Sequence, residues 1–224
     1  MHDAIAIVIG ATGQTGEKLT EQLLKDNAFQ KVRVLARKPI AQTQLKLESV
    51  IVNFSNLPEL KKAIGKGDII FSCIGTTMKS VKGDKGLYRN IDFDINVNTA
   101  KLGYENGFTR FVLMSAVGAN PASSNFYLRL KGETEEAIAA IPFESVHIMQ
   151  PSMLLGKRKE KRAGEQIAKT LSKALSFLFT GRLKKYKPIE SATVAEAMIA
   201  ASKLPTKGVH RDGYAEMINL LSDQ

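Results

Sequence analysis

One cysteine, no tryptophan and three scattered histidines set the first limits on this chain. A lone Cys73 excludes an internal disulfide framework and suits a reducing compartment, so a cytoplasmic location is expected. His2, His147 and His210 are too far apart in sequence to offer zinc-type ligand spacing, and no metal site is expected. No apolar run approaches the ~18 residues of a membrane-spanning helix. No leader is expected either. Met1-His2-Asp3 runs straight into the strand pattern Ala4-Ile5-Ala6-Ile7-Val8-Ile9, without a basic n-region or a small-residue cleavage site.

Acids are also scarce. There are 22 Asp+Glu against 32 Lys+Arg, a net charge of +10. Such a charge invites a nucleic-acid or anionic-membrane reading. No nucleic-acid motif accompanies it, so the expectation is a basic surface serving an anionic small molecule, with no specific nucleic-acid partner.

What is present is an ordinary globular composition, 44% hydrophobic and 24% charged over 224 residues, enough for one α/β domain or two small ones. Runs rich in Val, Ile and Phe fall at 4–9, 31–36, 49–53, 68–74, 109–114 and 144–150. They are almost continuously apolar, as strands buried on both faces require. Helical patterns lie between them at 15–26, 57–64, 91–106 and 128–140, with Gly65-Lys66-Gly67 and Asn106-Gly107 as stops. Alternating β and α elements predict right-handed crossovers and a doubly wound parallel sheet with helices on both faces. After Pro151 the rhythm changes to a charged loop at 156–162, an amphipathic helix at 164–179, a small-residue helix at 193–203 and a last short element within 213–221. With no linker or repeat, residues 1–224 read as one domain, and the portion from about 151 to 224 as a small cap on it.

The stretch IAIVIGATGQTGEKLTEQLLK (5–25) places a glycine-rich turn between a strand and a helix. A dinucleotide pyrophosphate needs backbone N–H donors and the positive end of a helix dipole. Gly10 permits the tight turn, Gly13 the close approach, and Gly16 the packing of helix on strand, while Thr12, Gln14 and Thr15 supply side-chain donors. The spacing is G-x-x-G-x-x-G rather than the commoner G-x-G-x-x-G. NAD sites usually carry a carboxylate at the end of the second strand; here the residues are Val34-Leu35-Ala36-Arg37-Lys38-Pro39. Arg37 and Lys38 suit a ribose 2′-phosphate, so NADP(H) is the expected cofactor, with a solvated basic loop as the alternative.

In RFVLMSAVGANPASSNFYLRLK (110–131), Ser115 ends a buried strand where ligands bind in open α/β sheets. Tyr127 and Lys131, four apart, share one side of the next helix. The trio suits hydride transfer to or from a carbonyl. Tyr127 donates the proton, Lys131 lowers the tyrosine pKa and holds a ribose hydroxyl, and Ser115 hydrogen-bonds the developing oxyanion.

The segments GATGQTG, LARKP, CIGTT, LMSAVGA and Tyr127-x-x-x-Lys131 resemble the short-chain dehydrogenase/reductase superfamily, atypical branch. Within it, FSCIGTT, SAVGANPASSNFYLRLKGE and QPSMLLGKRKEKRAGE resemble the Tat-interacting-protein-like oxidoreductases. The resemblance runs from Ile5 to about Ala201. It implies a Rossmann fold binding NADP(H), and Ser115, Tyr127 and Lys131 as the catalytic trio. It also implies Asn96, with Asn98 as the competing match, as support for a water-linked proton relay. Cys73, Ile74, Gly75 and Thr76 are then expected beside the cofactor ribose, and Pro151, Ser152 and Met153 over the nicotinamide. Where relatives often carry an Asp near the adenine, this chain has Val52-Asn53-Phe54-Ser55, which leaves that contact to Asn53, Phe54 or backbone. The chain is shorter than extended members, so a small substrate region is implied.

Two functions follow. One is an NADPH-dependent oxidoreductase acting on a small carbonyl or quinone-like substrate. The other is a weakly catalytic NADPH sensor read by a protein partner. Cys73 reads as a core residue before a redox sensor, and His147 as a core or edge histidine. The basic clusters at 156–162 and 181–187 read as solvated surface. Docking on an anionic membrane, a partner protein or a second copy of the chain is their alternative.

Overall fold

The apolar runs become the strands of one sheet. The computed structural model describes residues 3–40, 44–156 and 181–222. Among them the strands are β1 (Ala4–Ile9), β2 (Phe29–Ala36), β3 (Leu47–Ile51), β4 (Ile69–Ser72), β5 (Arg110–Met114), β6 (Ser145–Met149), β7 (Leu154–Leu155), β8 (Ile189–Glu190) and β9 (Gly208–Asp212). Seven of them pair in the order β3-β2-β1-β4-β5-β6-β9, every pairing parallel, while β7 and β8 form a separate two-strand ribbon. This is the doubly wound Rossmann order, with its switch point between β1 and β4.

Strand residues alternate between two cores. Ala6, Val8, Val32, Val34, Ile69, Phe71 and Val112 face α1 (Gln14–Lys25) and, through Val194, Ala197, Met198 and Ala201, the helix Ser191–Lys203. Ile7, Ile9, Leu35, Ile70, Phe111, Leu113, Val146 and Ile148 face α2 (Leu57–Ile64), α4 (Ile95–Glu105) and α5 (Phe126–Ala139). A short α3 (Lys85–Arg89) runs into α4 through a π-helical turn, Asn90–Asp94. Ser191–Lys203 is α6, and Tyr214–Ser222 is α7. The alanines of α6 are what lets it lie close to the sheet and α1.

Residues after Pro151 do not stand apart. α6 packs into the β1 face, and β9 supplies the seventh strand of the main sheet. β9 was not foreseen, because Gly208-Val209-His210-Arg211-Asp212 lacks an apolar run. A polar clamp fastens it. His147 on β6 is buried, with Nδ1 2.8 Å from Asp212 Oδ2 and Nε2 3.0 Å from Thr206 Oγ1, and its ring stacks on His210 at 4.7 Å. The amphipathic helix expected at 164–179 and the basic run at 157–162 lie outside the described residues. The second basic cluster forms a 3-10 helix at Gly181–Tyr186.

Candidate dinucleotide and substrate site

The glycine turn is shaped by backbone contacts. Gly10 adopts φ +80°, and a Cβ on it would sit 2.5 Å from the Cys73 carbonyl carbon. A Cβ on Gly16 would lie 2.2 Å from the Gly10 carbonyl oxygen. Both positions therefore exclude every side chain, and α1 begins hard against the ends of β1 and β4. Gly13, at the helix N-cap, is exposed and donates its N–H to Gly10 at 3.0 Å.

A cleft opens beside this turn. It is lined by Gly10, Thr12 and Gly13, by Arg37 from the end of β2, by Phe54, by Cys73, Ile74, Gly75 and Thr76 after β4, and by Ile91 and Ile95. Ile91 and Ile95 were missed by the sequence reading; their place on the helical pattern at 91–106 was visible, their direction was not. The other expected cofactor contacts lie off the cleft lining. Lys38 is exposed beside Arg37. The Asn53 side chain accepts the Ser55 N–H at 3.0 Å, closing a local turn. The Gln14 amide donates to the Leu155 carbonyl at 2.9 Å and so ties the segment after Pro151 to α1. Thr15 is buried, and among the described residues its hydroxyl has no hydrogen-bond partner. Pro151 accepts the Val117 N–H at 2.9 Å, Ser152 donates to the Lys187 carbonyl at 2.5 Å, and Met153 is exposed.

The residues present fit a dinucleotide. The backbone cradle tolerates no Cβ at Gly10 or Gly16, an orphaned hydroxyl sits in the first turn of α1, and the guanidinium of Arg37 borders the cleft. Cys73 forms part of the floor. Burial pushes its thiol up to about 12, against a smaller downward pull from Lys131.

The second half of the site stands on α5. Asn125 caps this helix by accepting the Leu128 N–H at 3.2 Å. Gly132 lets the helix touch the preceding loop, since a Cβ there would meet the Pro121 nitrogen at 2.3 Å. Tyr127, Lys131 and Glu135 follow one another at i, i+4 and i+8, on one stripe. Tyr127 is 39% exposed, whereas Lys131 and Glu135 are buried. Lys131 Nζ lies 3.1 Å from Asp92 Oδ1, and the other Asp92 oxygen accepts the Thr76 N–H at 2.7 Å. The π turn is what aims Asp92 inward from the middle of a helix; such turns recur at functional sites.

Asn96 is fully buried one turn along. Its amide donates to the Asp92 carbonyl at 2.8 Å, and its oxygen accepts from the Ser72 hydroxyl. Both polar ends are thus taken up by the protein. Asn98 is half-buried on the same helix.

Ser115 follows β5 and is held by its N–H on the Met149 carbonyl at 2.8 Å. Its hydroxyl donates to Glu135 Oε1 at 2.5 Å. Gln150, just past β6, donates to both Glu135 oxygens at 2.9 and 3.0 Å, and Arg211 Nε on β9 lies 3.3 Å from Oε2. Asp92, Glu135, Gln150 and Arg211 went unread in the sequence. Glu135 alone carried a signal, its eight-residue offset from Tyr127.

Comparison with known proteins supports a dinucleotide-binding fold. A family model described as NAD(P)H-binding matches residues 10–205. The HTATIP2 protein of Rattus norvegicus is 33% identical over 172 residues, covering 75% of this chain and 70% of that one. The Debaryomyces hansenii protein named FMP52, mitochondrial, is 33% identical over 206 residues, 89% of this chain and 88% of that one. Among solved structures, MoeE5 in complex with UDP-glucose and NAD superposes with a TM-score of 0.70 at 13% identity, over 97% of this chain and 81% of that chain. That likeness is one of fold.

The names of the fungal relatives overturn the cytoplasmic expectation, since several are mitochondrial proteins. The inference from cysteine usage fails for a physical reason. A single reduced, buried thiol discriminates against oxidising compartments only, and it is equally at home in any reducing one.

Proposed function

This chain belongs to the NAD(P)H-binding family of atypical short-chain dehydrogenases and reductases, and we propose that it is an NADPH-dependent reductase of small carbonyl or quinone-like compounds, working in mitochondria. One observation carries the reading. Lys131 Nζ lies 3.7 Å from where a Cβ on Gly75 would stand, and Gly75 lines the dinucleotide cleft. Lys131 thus brings the α5 stripe to the edge of the cleft.

Bound NADPH supplies a hydride to the carbonyl carbon. The chain's own residues do the rest. The backbone N–H groups at the start of α1 and the Thr12 hydroxyl would hold the phosphates of a bound dinucleotide. Arg37 grips the 2′-phosphate as a bidentate donor, and no carboxylate at the end of β2 opposes it. Lys131, close to Gly75 of the cleft, would hold a ribose hydroxyl of the cofactor. Its ammonium is anchored by Asp92 and stands one helical turn from Tyr127 on the same stripe. Tyr127 would donate its phenolic proton to the carbonyl oxygen of the substrate.

Thermal unfolding with NADPH, NADP⁺ and NADH tests the cofactor. At 100 times Kd a ligand adds about 2.7 kcal/mol, a midpoint shift of roughly 5–10 °C at this size. NADPH is expected to shift wild type well beyond NADH, and Arg37→Ala to erase the difference. A carbonyl screen on the loaded protein then tests the reaction: Tyr127→Phe abolishes turnover and keeps NADPH affinity. Binding without any turnover leaves the sensor role instead. Fractionation of cells expressing the full-length protein tests the location.

A further inference from the structure

Gly75 is a glycine that its own backbone does not require. It lies outside the left-handed region, and a Cβ on it would make only ordinary contacts, 3.6 Å from Asp92 Oδ1 and 3.7 Å from Lys131 Nζ. Gly75 lines the dinucleotide cleft, so its missing side chain leaves those two charged atoms within reach of a ligand there.

The two oxygens of Asp92 are unequally satisfied. The side chain is fully buried, and Oδ2 accepts the Thr76 N–H at 2.7 Å. Oδ1 has the Lys131 ammonium 3.1 Å away as an ion pair but, among the described residues, no hydrogen-bond partner. A buried acceptor left unfilled is costly, so each such atom needs a reason. Its aim is fixed, because Thr76 is held at its other end too: the Tyr88 hydroxyl donates to the Thr76 carbonyl at 3.1 Å.

We propose that Asp92 is a cofactor-binding residue whose Oδ1 accepts a hydrogen bond from one hydroxyl of the nicotinamide ribose, beside the hydroxyl that Lys131 serves. This rests on the NADPH reading given under Proposed function. A carboxylate is an acceptor only and an ammonium a donor only. Set side by side, they match two adjacent hydroxyls, one through its proton and the other through its lone pairs. In NADPH the adenosine 2′-oxygen carries the phosphate, so the cis-diol on the nicotinamide ribose is the one diol the molecule offers. Asp92→Asn reverses half of this match. The amide oxygen keeps the Thr76 N–H, and the amide nitrogen turns a second donor toward the space beside Lys131.

Equilibrium titrations with four ligands test this: NADPH, its two analogues lacking either the 2′- or the 3′-hydroxyl of the nicotinamide ribose, and adenosine 2′,5′-bisphosphate, which has no nicotinamide ribose. Asp92→Asn is expected to raise the NADPH Kd about tenfold or more and to leave adenosine 2′,5′-bisphosphate unchanged. Its loss should vanish with one deoxy analogue and persist with the other. Gly75→Ala keeps the buried pair and sets a methyl group over it, so the same selective loss is expected in a second protein that does not depend on how Asp92→Asn folds. An Asp92→Asn or a folded Gly75→Ala protein with wild-type NADPH affinity overturns the proposal. So does an equal loss for adenosine 2′,5′-bisphosphate, which makes the effect one of general disturbance, or an equal loss with both deoxy analogues, which makes Asp92 act through Lys131 alone. A wild type that binds neither NADPH nor adenosine 2′,5′-bisphosphate overturns the cofactor reading itself, and the role of Asp92 with it.

Discussion

Lys131 Nζ lies 3.1 Å from Asp92 Oδ1 with both side chains buried, joining α5 to the π turn that precedes α4. The lysine that borders the dinucleotide cleft is therefore not a free charge. Its partner is held in turn by the Thr76 N–H, on the segment that forms the cleft floor. Two elements 39 residues apart in sequence are locked together at the point where cofactor and substrate would meet.

Removing one member of such a pair strands the other in the interior. Lys131→Met is expected to lower the unfolding free energy by about 3–5 kcal/mol. Adding Asp92→Asn removes the stranded charge and keeps an oxygen for the Thr76 N–H, so most of the loss returns in the double variant. Urea denaturation of the three proteins measures this. A Lys131→Met protein as stable as wild type would show that the pair contributes little.

The glycines of the first turn separate fold from binding. Gly13 has φ −78°, which any residue adopts, and a Cβ there meets the Gly10 carbonyl oxygen at 3.3 Å and the Cys73 carbonyl oxygen at 4.0 Å. Gly13→Ala is expected to stay within about 1 kcal/mol of wild type while weakening NADPH binding by about tenfold or more, because the methyl group stands over the N–H donors. Gly16→Ala drives its methyl into backbone at 2.2 Å and is expected to lose about 1–3 kcal/mol or more. Calorimetric titration and chemical denaturation of the pair distinguish the two roles.

Much of the fold was legible because it is written in local patterns. The run Ile5–Ile9, the three glycines and the helix after them fix the first βα unit within a few residues of sequence, and the same logic recurs down to Met149. The cleft lining was legible where it follows that unit, at Gly10, Gly13, Arg37 and Gly75. It was not legible where the arrangement depends on pairing across the chain. Nothing near Glu135 announces Gln150 or Arg211, the latter 76 residues away. The π turn is invisible because Asn90–Asp94 carries the same helical pattern as its neighbours; one extra residue per turn changes direction, not composition. β9 escaped for the opposite reason, being an edge strand held by polar contacts.

Those polar contacts make a prediction of their own. His147 satisfies Asp212 and Thr206 at once, and Asp212 is buried. His147→Ala leaves a buried carboxylate unpaired and is expected to cost about 1–3 kcal/mol or more. The loss should be felt first at the sheet edge. Hydrogen exchange of the β9 amides, His210 to Asp212, is expected to accelerate well before that of β1 and β4. Uniform acceleration across the sheet would mean that β9 has no independent opening.

Cys73 gives the alkaline limit of stability. Burial raises its thiol from an ordinary 9.0 to about 12 in the folded protein, with Lys131 pulling slightly the other way. Between those values the unfolded chain has lost the thiol proton and the native state keeps it. The native state then binds more protons, so stability falls as pH rises through this window and is fully present below about 9. The slope from this one group is up to about 1.4 kcal/mol per pH unit. Lysines and tyrosines also titrate there, so the comparison is with Cys73→Ala, which carries every other group. The wild-type advantage over Cys73→Ala is expected to be constant from pH 7 to 8.5 and to shrink steadily up to pH 10.5. The same burial keeps the thiolate scarce, so at pH 8 a thiol reagent should modify wild type only as fast as the protein unfolds. Rapid modification of the folded, NADPH-free protein would instead place Cys73 in contact with solvent, and with it the floor of the dinucleotide cleft.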